Sequence, residues 1–135
     1  MRRAYLDACV VIYLIEGVDT FSETMKHFLT RNDDALLCVS PVVRLEVLLK
    51  PLRDADSVLV VDYEDFLTAQ NWLAINNRIV DRALRLRAQH GLKTPDAPHL
   101  ATALHYGCEE FWINDDRLNK AAGPLAVNVL QPFPA

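Results

Sequence analysis

Glycine is scarce in this chain, four residues in 135. No segment is repeated, linker-like or of low complexity, so a loosely ordered chain is excluded and residues 1–135 read as one globular domain with a sizeable core. Cysteine is scarce as well. Cys9, Cys38 and Cys108 are far apart and form no Cys-x-x-Cys pair, an odd set that fits reduced thiols in the cytoplasm. No apolar run approaches the length that spans a bilayer. Met1-Arg2-Arg3 places two positive charges before an apolar stretch, as a signal sequence would. Asp7 interrupts that stretch, however, and Glu16-Gly17 stands where small cleavage residues belong, so a soluble cytoplasmic protein is expected. An excess of positive charge is also missing. Fourteen Lys and Arg against eighteen Asp and Glu leave a net charge of −4 and no blanket attraction to nucleic acid. A polyanion would have to be met through cations or a local basic face.

What is present is an alternation of strand-like and helix-like segments, which predicts an α/β fold with a small parallel sheet. Ala4 to Leu6 reads as a strand, and Cys9 to Ile15 as a helix stopped at Glu16-Gly17. Phe21 to Thr30 is helical, Asn32-Asp33-Asp34 a turn, and Leu36 to Val39 a fully apolar strand of the buried parallel kind. Ser40-Pro41 predicts a helix start capped by the serine hydroxyl, the helix ending before Pro51. Asp62 is expected to cap a helix running towards Leu73. Ile79, Val80, Ala83 and Leu86 mark another that ends at His90-Gly91. Thr94-Pro95-Asp96 opens a helix ending at Tyr106-Gly107. Phe111 to Ile113 is a strand closed by Asn114-Asp115, and Ala126 to Leu130 a last strand.

Asp7 sits between two apolar runs, where a buried unpaired carboxylate is costly. It follows the first strand, at the sheet edge where open α/β folds place ligands. Asp115 follows the Phe111–Ile113 strand, Asp96 falls in the first turn of its helix, and Glu46 lies six positions beyond the Ser40 cap. If the strands are parallel neighbours, the four acids meet at one edge. Clustered carboxylates raise one another's pKa unless a cation separates them. Mg²⁺ or Mn²⁺ prefers such oxygen donors, and phosphodiester hydrolysis uses such ions to activate water and stabilise the leaving oxygen. Each acid taken singly also has a structural explanation, as a dipole-favoured first-turn residue (Asp96) or a turn residue after a strand (Asp115). Glu46 fits this less well, because Val43, Leu45, Val47, Leu48 and Leu49 surround it.

The order of these segments resembles the PIN-domain family. Tyr5-Leu6-Asp7-Ala8-Cys9-Val10-Val11-Ile12-Tyr13-Leu14 is similar to its opening block. Val39-Ser40-Pro41-Val42-Val43-Arg44-Leu45-Glu46-Val47-Leu48 is similar to its second, in which serine or threonine precedes glutamate by six positions. Thr94-Pro95-Asp96-Ala97-Pro98-His99-Leu100-Ala101-Thr102-Ala103 resembles its Asp-Ala-x-His-x-Ala-x-Ala helix, and Phe111-Trp112-Ile113-Asn114-Asp115-Asp116-Arg117-Leu118 its strand ending in Asn-Asp. The blocks cover residues 4–118, with the single-domain VapC-type toxins of toxin–antitoxin pairs the nearest likeness. The resemblance implies a three-layer PIN-like α/β fold and a Mg²⁺- or Mn²⁺-dependent endoribonuclease. Asp7, Glu46, Asp96 and Asp115 would be its metal-binding, catalytic acids, with Ser40 supporting them by hydrogen bonding. It further implies a homodimer, an RNA substrate, and a small antitoxin that fills an apolar groove and the active site. Two positions depart from the pattern. Pro98 replaces an apolar residue and points to a late or displaced start of the Asp96 helix, and Ile113 replaces a hydroxyl residue.

Other patterns give rival readings. Cys38-Val39-Ser40-Pro41-Val42-Val43-Arg44 matches the Cys-x5-Arg of cysteine phosphatases, but Pro41 deletes a phosphate-cradling N–H and no glycine is present. Asp7-Ala8-Cys9 lacks the second acid of an Asp-x-Asp phosphatase. A PIN-fold binding module without activity is the other alternative. Arg78, Arg82, Arg85, Arg87 and Lys93 concentrate positive charge before Asp96 and could steer RNA, although a solvated helix face explains any one of them. His99 and His105 are expected to be packed or hydrogen-bonded, and Tyr5, Trp72, Phe111 and Trp112 to be core.

Overall fold

The computed structural model describes residues 2–17, 19–114 and 116–129. Its centre is a parallel sheet of β1 (Arg3–Leu6), β2 (Leu36–Val39), β3 (Asn71–Trp72), β4 (Glu110–Ile113) and β5 (Ala126–Asn128), in the spatial order β3-β2-β1-β4-β5. Around it lie α1 (Ala8–Glu16), α2 (Asp19–Arg31), α3 (Pro41–Arg53), α4 (Ser57–Thr68), α5 (Asn77–His90), α6 (Asp96–His105) and α7 (Asp116–Ala122). This is the expected three-layer α/β arrangement. Among the described residues, no helix is long and apolar enough to cross a membrane.

The central strands are buried because their residues are apolar on both faces. Ala4, Tyr5 and Leu6 of β1 and Phe111, Trp112 and Ile113 of β4 are fully buried. Tyr5 is in register with Cys38 on one side and Phe111 on the other. The Tyr5 and Phe111 rings meet edge to face at 5.6 Å, and the Phe28 ring packs against Trp112 at 4.7 Å. Edge-to-face pairs of this kind add to the stabilisation from buried area. α5 packs on α6, and α3 contacts both α4 and α6. The strand order reverses between β1 and β4, so a crevice opens beyond their carboxyl ends.

The helix stops at Gly17 and Gly91 are as expected, both glycines taking the left-handed backbone that closes a helix. Several local expectations are corrected. α3 does not end before Pro51 but continues to Arg53 with Pro51 buried inside it. Proline removes one donor there, yet Asp54 N–H still reaches the Lys50 carbonyl at 2.9 Å. α4 is not capped by Asp62. It starts at Ser57, where Asp56 Oδ1 accepts from Leu59 N–H at 3.2 Å. Ala55 in the left-handed region makes the sharp reversal from α3 possible. Pro98 neither delays nor displaces α6, which begins at Asp96. Proline stands third in the helix, in the first turn where it is tolerated, and the i→i−4 bonds on either side of it, from Ala97 N–H to the Lys93 carbonyl and from His99 N–H to the Pro95 carbonyl, are made. Trp72 is not core but 43 % exposed, on an edge strand. β3 and α7 have too little apolar periodicity to be read from sequence. Leu130, placed in the last strand, lies outside the described residues.

Candidate active site

Asp7 occupies the crevice between β1 and β4. Its backbone N–H donates to the Trp112 carbonyl at 3.0 Å, which carries the β1–β4 pairing one residue past the strand end. It is the N-cap residue of α1, but its side chain makes no cap bond. Instead Oδ2 accepts from the Cys9 thiol at 2.9 Å. Burial and the adjacent Asp7 carboxylate push the Cys9 thiol up from its ordinary range, so it stays a protonated donor. Asp7 itself is 9 % exposed, and its Oδ1 lies 3.7 Å from His99 Nε2.

The same imidazole nitrogen is hydrogen-bonded to Oε1 of Glu46, so two of the predicted acids meet at one atom. Glu46 projects from α3, which packs on α6, the helix that carries His99. His99 is fully buried, packed and hydrogen-bonded as expected. Its Nδ1 lies 2.7 Å from the Tyr5 hydroxyl, and that hydroxyl lies 2.7 Å from Ser40 Oγ. Ser40 therefore holds the N-cap backbone position of α3 without making the expected side-chain cap. Pro41 has already removed one orphan N–H from that helix end, while a buried tyrosine hydroxyl requires a partner. Burial pushes the Tyr5 hydroxyl up, the nearby Asp7 and Glu46 carboxylates add to this, and the Ser40 hydrogen bond opposes it.

Asp96 opens α6 one helical turn before His99, on the same side of that helix. It also lines a pocket of about 330 Å³ with His90, Gly91, Lys93 and Lys120. Asp115 lies outside the described residues. Its neighbour Asn114 follows β4 and donates to the Tyr13 hydroxyl at 3.4 Å.

The basic group is divided. Arg78, Arg82 and Arg85 are exposed along α5. Arg87 turns away and donates from Nε to the Leu92 carbonyl at 3.0 Å. Lys93 borders the Asp96 pocket together with Lys120. Lys120 was missed because α7 is not legible as a helix. Tyr5 reads from sequence as core and His99 as a packed or hydrogen-bonded residue, neither as part of the site, although His99 follows Asp96 by the three positions that align side chains on a helix. The phosphatase reading fails on geometry. Cys38 is fully buried, and exposed Arg44 is held by Glu64 through bonds of 2.8 and 2.9 Å.

Among the described residues, no three His, Cys, Asp or Glu side chains form a group that could hold a metal ion. The donor chemistry nonetheless fits a hard cation. Asp7 and Glu46 bring carboxylate oxygens to the same His99 nitrogen at the β1 edge, and among the described residues Asp7 Oδ1 has that nitrogen, 3.7 Å away, as its neighbour.

Comparison with known proteins gives the family and the fold. No curated protein sequence matches the chain. Among solved structures, a toxin–antitoxin complex from Klebsiella pneumoniae superposes with a TM-score of 0.76 at 24 % identity, covering 93 % of this chain and 97 % of that one. VapC20 of Mycobacterium tuberculosis, described as a sarcin–ricin loop cleaving toxin, gives 0.75 at 17 % identity, over 89 % and 95 % of the two chains. VapBC2 from Rickettsia felis, bound to a promoter DNA fragment, gives 0.72 at 15 % identity, over 93 % and 98 %. At such identities these likenesses establish the fold. The sequence profile of the PIN domain matches residues 4–124, a span that holds β2, β3, β4, all of β1 but Arg3, and all four predicted acids, and the chain belongs to the PIN-domain family.

Proposed function

We propose that this protein is a Mg²⁺- or Mn²⁺-dependent endoribonuclease, the VapC-type toxin of a toxin–antitoxin pair, acting in the cytoplasm as a single PIN unit. The observation that carries this reading is the meeting of the Asp7 and Glu46 carboxylates at His99 Nε2, beside the crevice between β1 and β4. Acids brought together there have a structural cost that a bound cation would offset.

Asp7, Glu46, Asp96 and Asp115 would hold the cation. When bound, it supplies positive charge to the reacting phosphodiester and acidifies water beside it. Glu46, hydrogen-bonded on one oxygen, can orient the attacking water with the other. Lys93 and Lys120 flank Asp96 and would hold a neighbouring phosphate of the strand. Arg78, Arg82 and Arg85 would steer RNA towards the crevice by charge. Ser40 contributes from behind through Tyr5.

The antitoxin is proposed to lie in the apolar groove of about 340 Å³ where α3 turns into α4, lined by Pro51, Leu52, Ala55, Val60 and Val61. Leu52 and Val61 are 61 % and 54 % exposed, bare apolar side chains that a docked partner would cover. Exposed Val80 and Leu84 on α5 offer apolar area for a homodimer. The structural likeness to toxin–antitoxin complexes supports such partners.

The deciding experiment incubates the purified chain with labelled RNA in Mn²⁺ or Mg²⁺, with and without EDTA. Metal-dependent internal cleavage supports the proposal. RNA or antitoxin binding without cleavage would make the protein an inactive PIN-fold module.

A further inference from the structure

The nuclease reading assigns work to the acids and a supporting place to Ser40, but it does not say how the buried polar chain behind them acts or what His99 does in it. That chain joins three elements. Tyr5 is on β1, His99 on α6 and Glu46 on α3, and Ser40 stands at the junction of β2 and α3. Tyr5, Ser40 and His99 are all fully buried, so their polar atoms must be satisfied by one another.

Counting protons gives the chain a direction. The Ser40 hydroxyl, the Tyr5 hydroxyl and the imidazole each have one proton to donate, and Glu46 at the far end is an acceptor. If Ser40 donates to Tyr5 across 2.7 Å, Tyr5 donates to His99 Nδ1 across 2.7 Å. The ring proton then resides on Nε2, where it is donated to Glu46. The reverse order would leave the Ser40 proton without an acceptor among the described residues and turn a ring proton towards the Tyr5 oxygen. With a neutral imidazole, only the first order satisfies every member.

We propose that Tyr5 and His99 are positioning residues that hold the Glu46 carboxylate beside Asp7, through a one-way hydrogen-bond relay from Ser40 to Tyr5 to His99 to Glu46. The proposal rests on the reading of Glu46 and Asp7 as metal-binding acids. The Glu46 side chain is 30 % exposed and has several rotatable bonds, so without a fixed partner it would rotate among solvent-facing rotamers. His99 cannot do so, because it is buried on a helix and its ring stacks at a tilt on Tyr5, with centroids 5.6 Å apart. Tyr5 in turn is set by β1, the strand that delivers Asp7. Glu46 is thereby registered to the strand carrying one acid and the helix carrying another. Nε2 also lies 3.7 Å from Asp7 Oδ1, so in this relay the proton on that nitrogen sits beside both carboxylates and eases their approach.

The test uses the full chain as wild type, Tyr5→Phe, His99→Gln and His99→Asn. Two quantities are read, the His99 tautomer by ¹⁵N NMR and the affinity for Mn²⁺ by calorimetry. The wild type is expected to show a single Nε2–H tautomer. Tyr5→Phe keeps the ring and its packing on Phe111, loses the single tautomer, and weakens Mn²⁺ binding about tenfold. Glutamine places its amide donor near the Nε2 position and is expected to stay within about threefold of wild type. Asparagine is shorter, places its amide near Nδ1, and should lose about 10–100-fold. Melting temperatures verify that each variant is folded. An Nδ1–H tautomer in the wild type overturns the relay. Unchanged affinity in Tyr5→Phe, or equal loss in the two His99 amides, reduces it to a packing feature and overturns the proposal alone. A wild type that binds no Mn²⁺ overturns the metal reading and the positioning role together.

Discussion

Glu46 on α3 is hydrogen-bonded to His99 on α6, and the same imidazole nitrogen faces Asp7 at the end of β1. Two carboxylates from distant parts of the chain are therefore organised by one buried ring.

Removing an acid should separate function from stability. Asp7→Asn and Asp96→Asn are each expected to lower metal-dependent RNA cleavage at least about 100-fold, since they remove charge aimed at the reacting phosphate. Both should stay folded, because losing one carboxylate relieves repulsion in the crevice. Cleavage of a labelled RNA and circular-dichroism melts check the two halves. Wild-type cleavage by both variants would refute the acidic-site reading.

Stability should decline in alkali before any cleavage chemistry is considered. Burial pushes the hydroxyls of Tyr5 and Tyr63 up from the ordinary value of 10.0, and Tyr63 is raised further by the Glu16 carboxylate to which it donates. Above pH 10.0 the unfolded chain releases protons that the folded chain keeps, so the folded state loses ground as pH rises. Ultraviolet tyrosinate absorbance should show two of the four tyrosines ionising only with unfolding.

The groove between α3 and α4 gives a prediction about the partner. Leu52→Asp should weaken binding of the antitoxin at least about tenfold, as loss of a central apolar anchor does. The side chain is exposed in the free protein, so the melting temperature should barely change. Titration of the purified antitoxin into each form measures the effect, and unchanged affinity would move the antitoxin elsewhere.

Arg44 and Glu64 form an exposed bidentate pair, and the Arg44 guanidinium holds the Glu64 carboxyl below its ordinary range. Such pairs contribute about 0.2–1 kcal/mol after screening. That contribution is present at neutral pH and is lost as acid protonates Glu64 through its lowered pKa. Arg44→Ala should therefore cost little stability, and the cost should shrink in acid and in high salt. Cys38→Ser should leave cleavage intact, whereas a thiol-dependent phosphatase would lose all activity. Denaturant melts and activity assays distinguish these outcomes.

Much of the scaffold was legible because its signals are local. The apolar strands around Tyr5, Cys38 and Trp112 read as buried parallel strands, and Gly17 and Gly91 ended helices by backbone geometry that needs no tertiary context. α4 was misplaced because Ser57-Val58-Leu59-Val60-Val61 is rich in β-branched residues, while its true cap, Asp56, stands in a reversal that only Ala55's left-handed backbone permits. Trp72 looked like core by residue type. It is half exposed because the two-residue β3 is the edge of the sheet.

By itself, then, the amino-acid sequence determined the α/β class and the PIN-family order of blocks, and it singled out four acids as candidates, since each of these depends on residue type and spacing along the chain. Only the tertiary structure decided what those acids meet. Ser40 reads locally as a helix cap, His99 as a packed histidine and Tyr5 as core. Packing α3 and α6 against β1 turns these three into a hydrogen-bonded line ending on Glu46, beside Asp7. Buried polar groups must find partners across the fold, and no spacing within one segment says which partners those are.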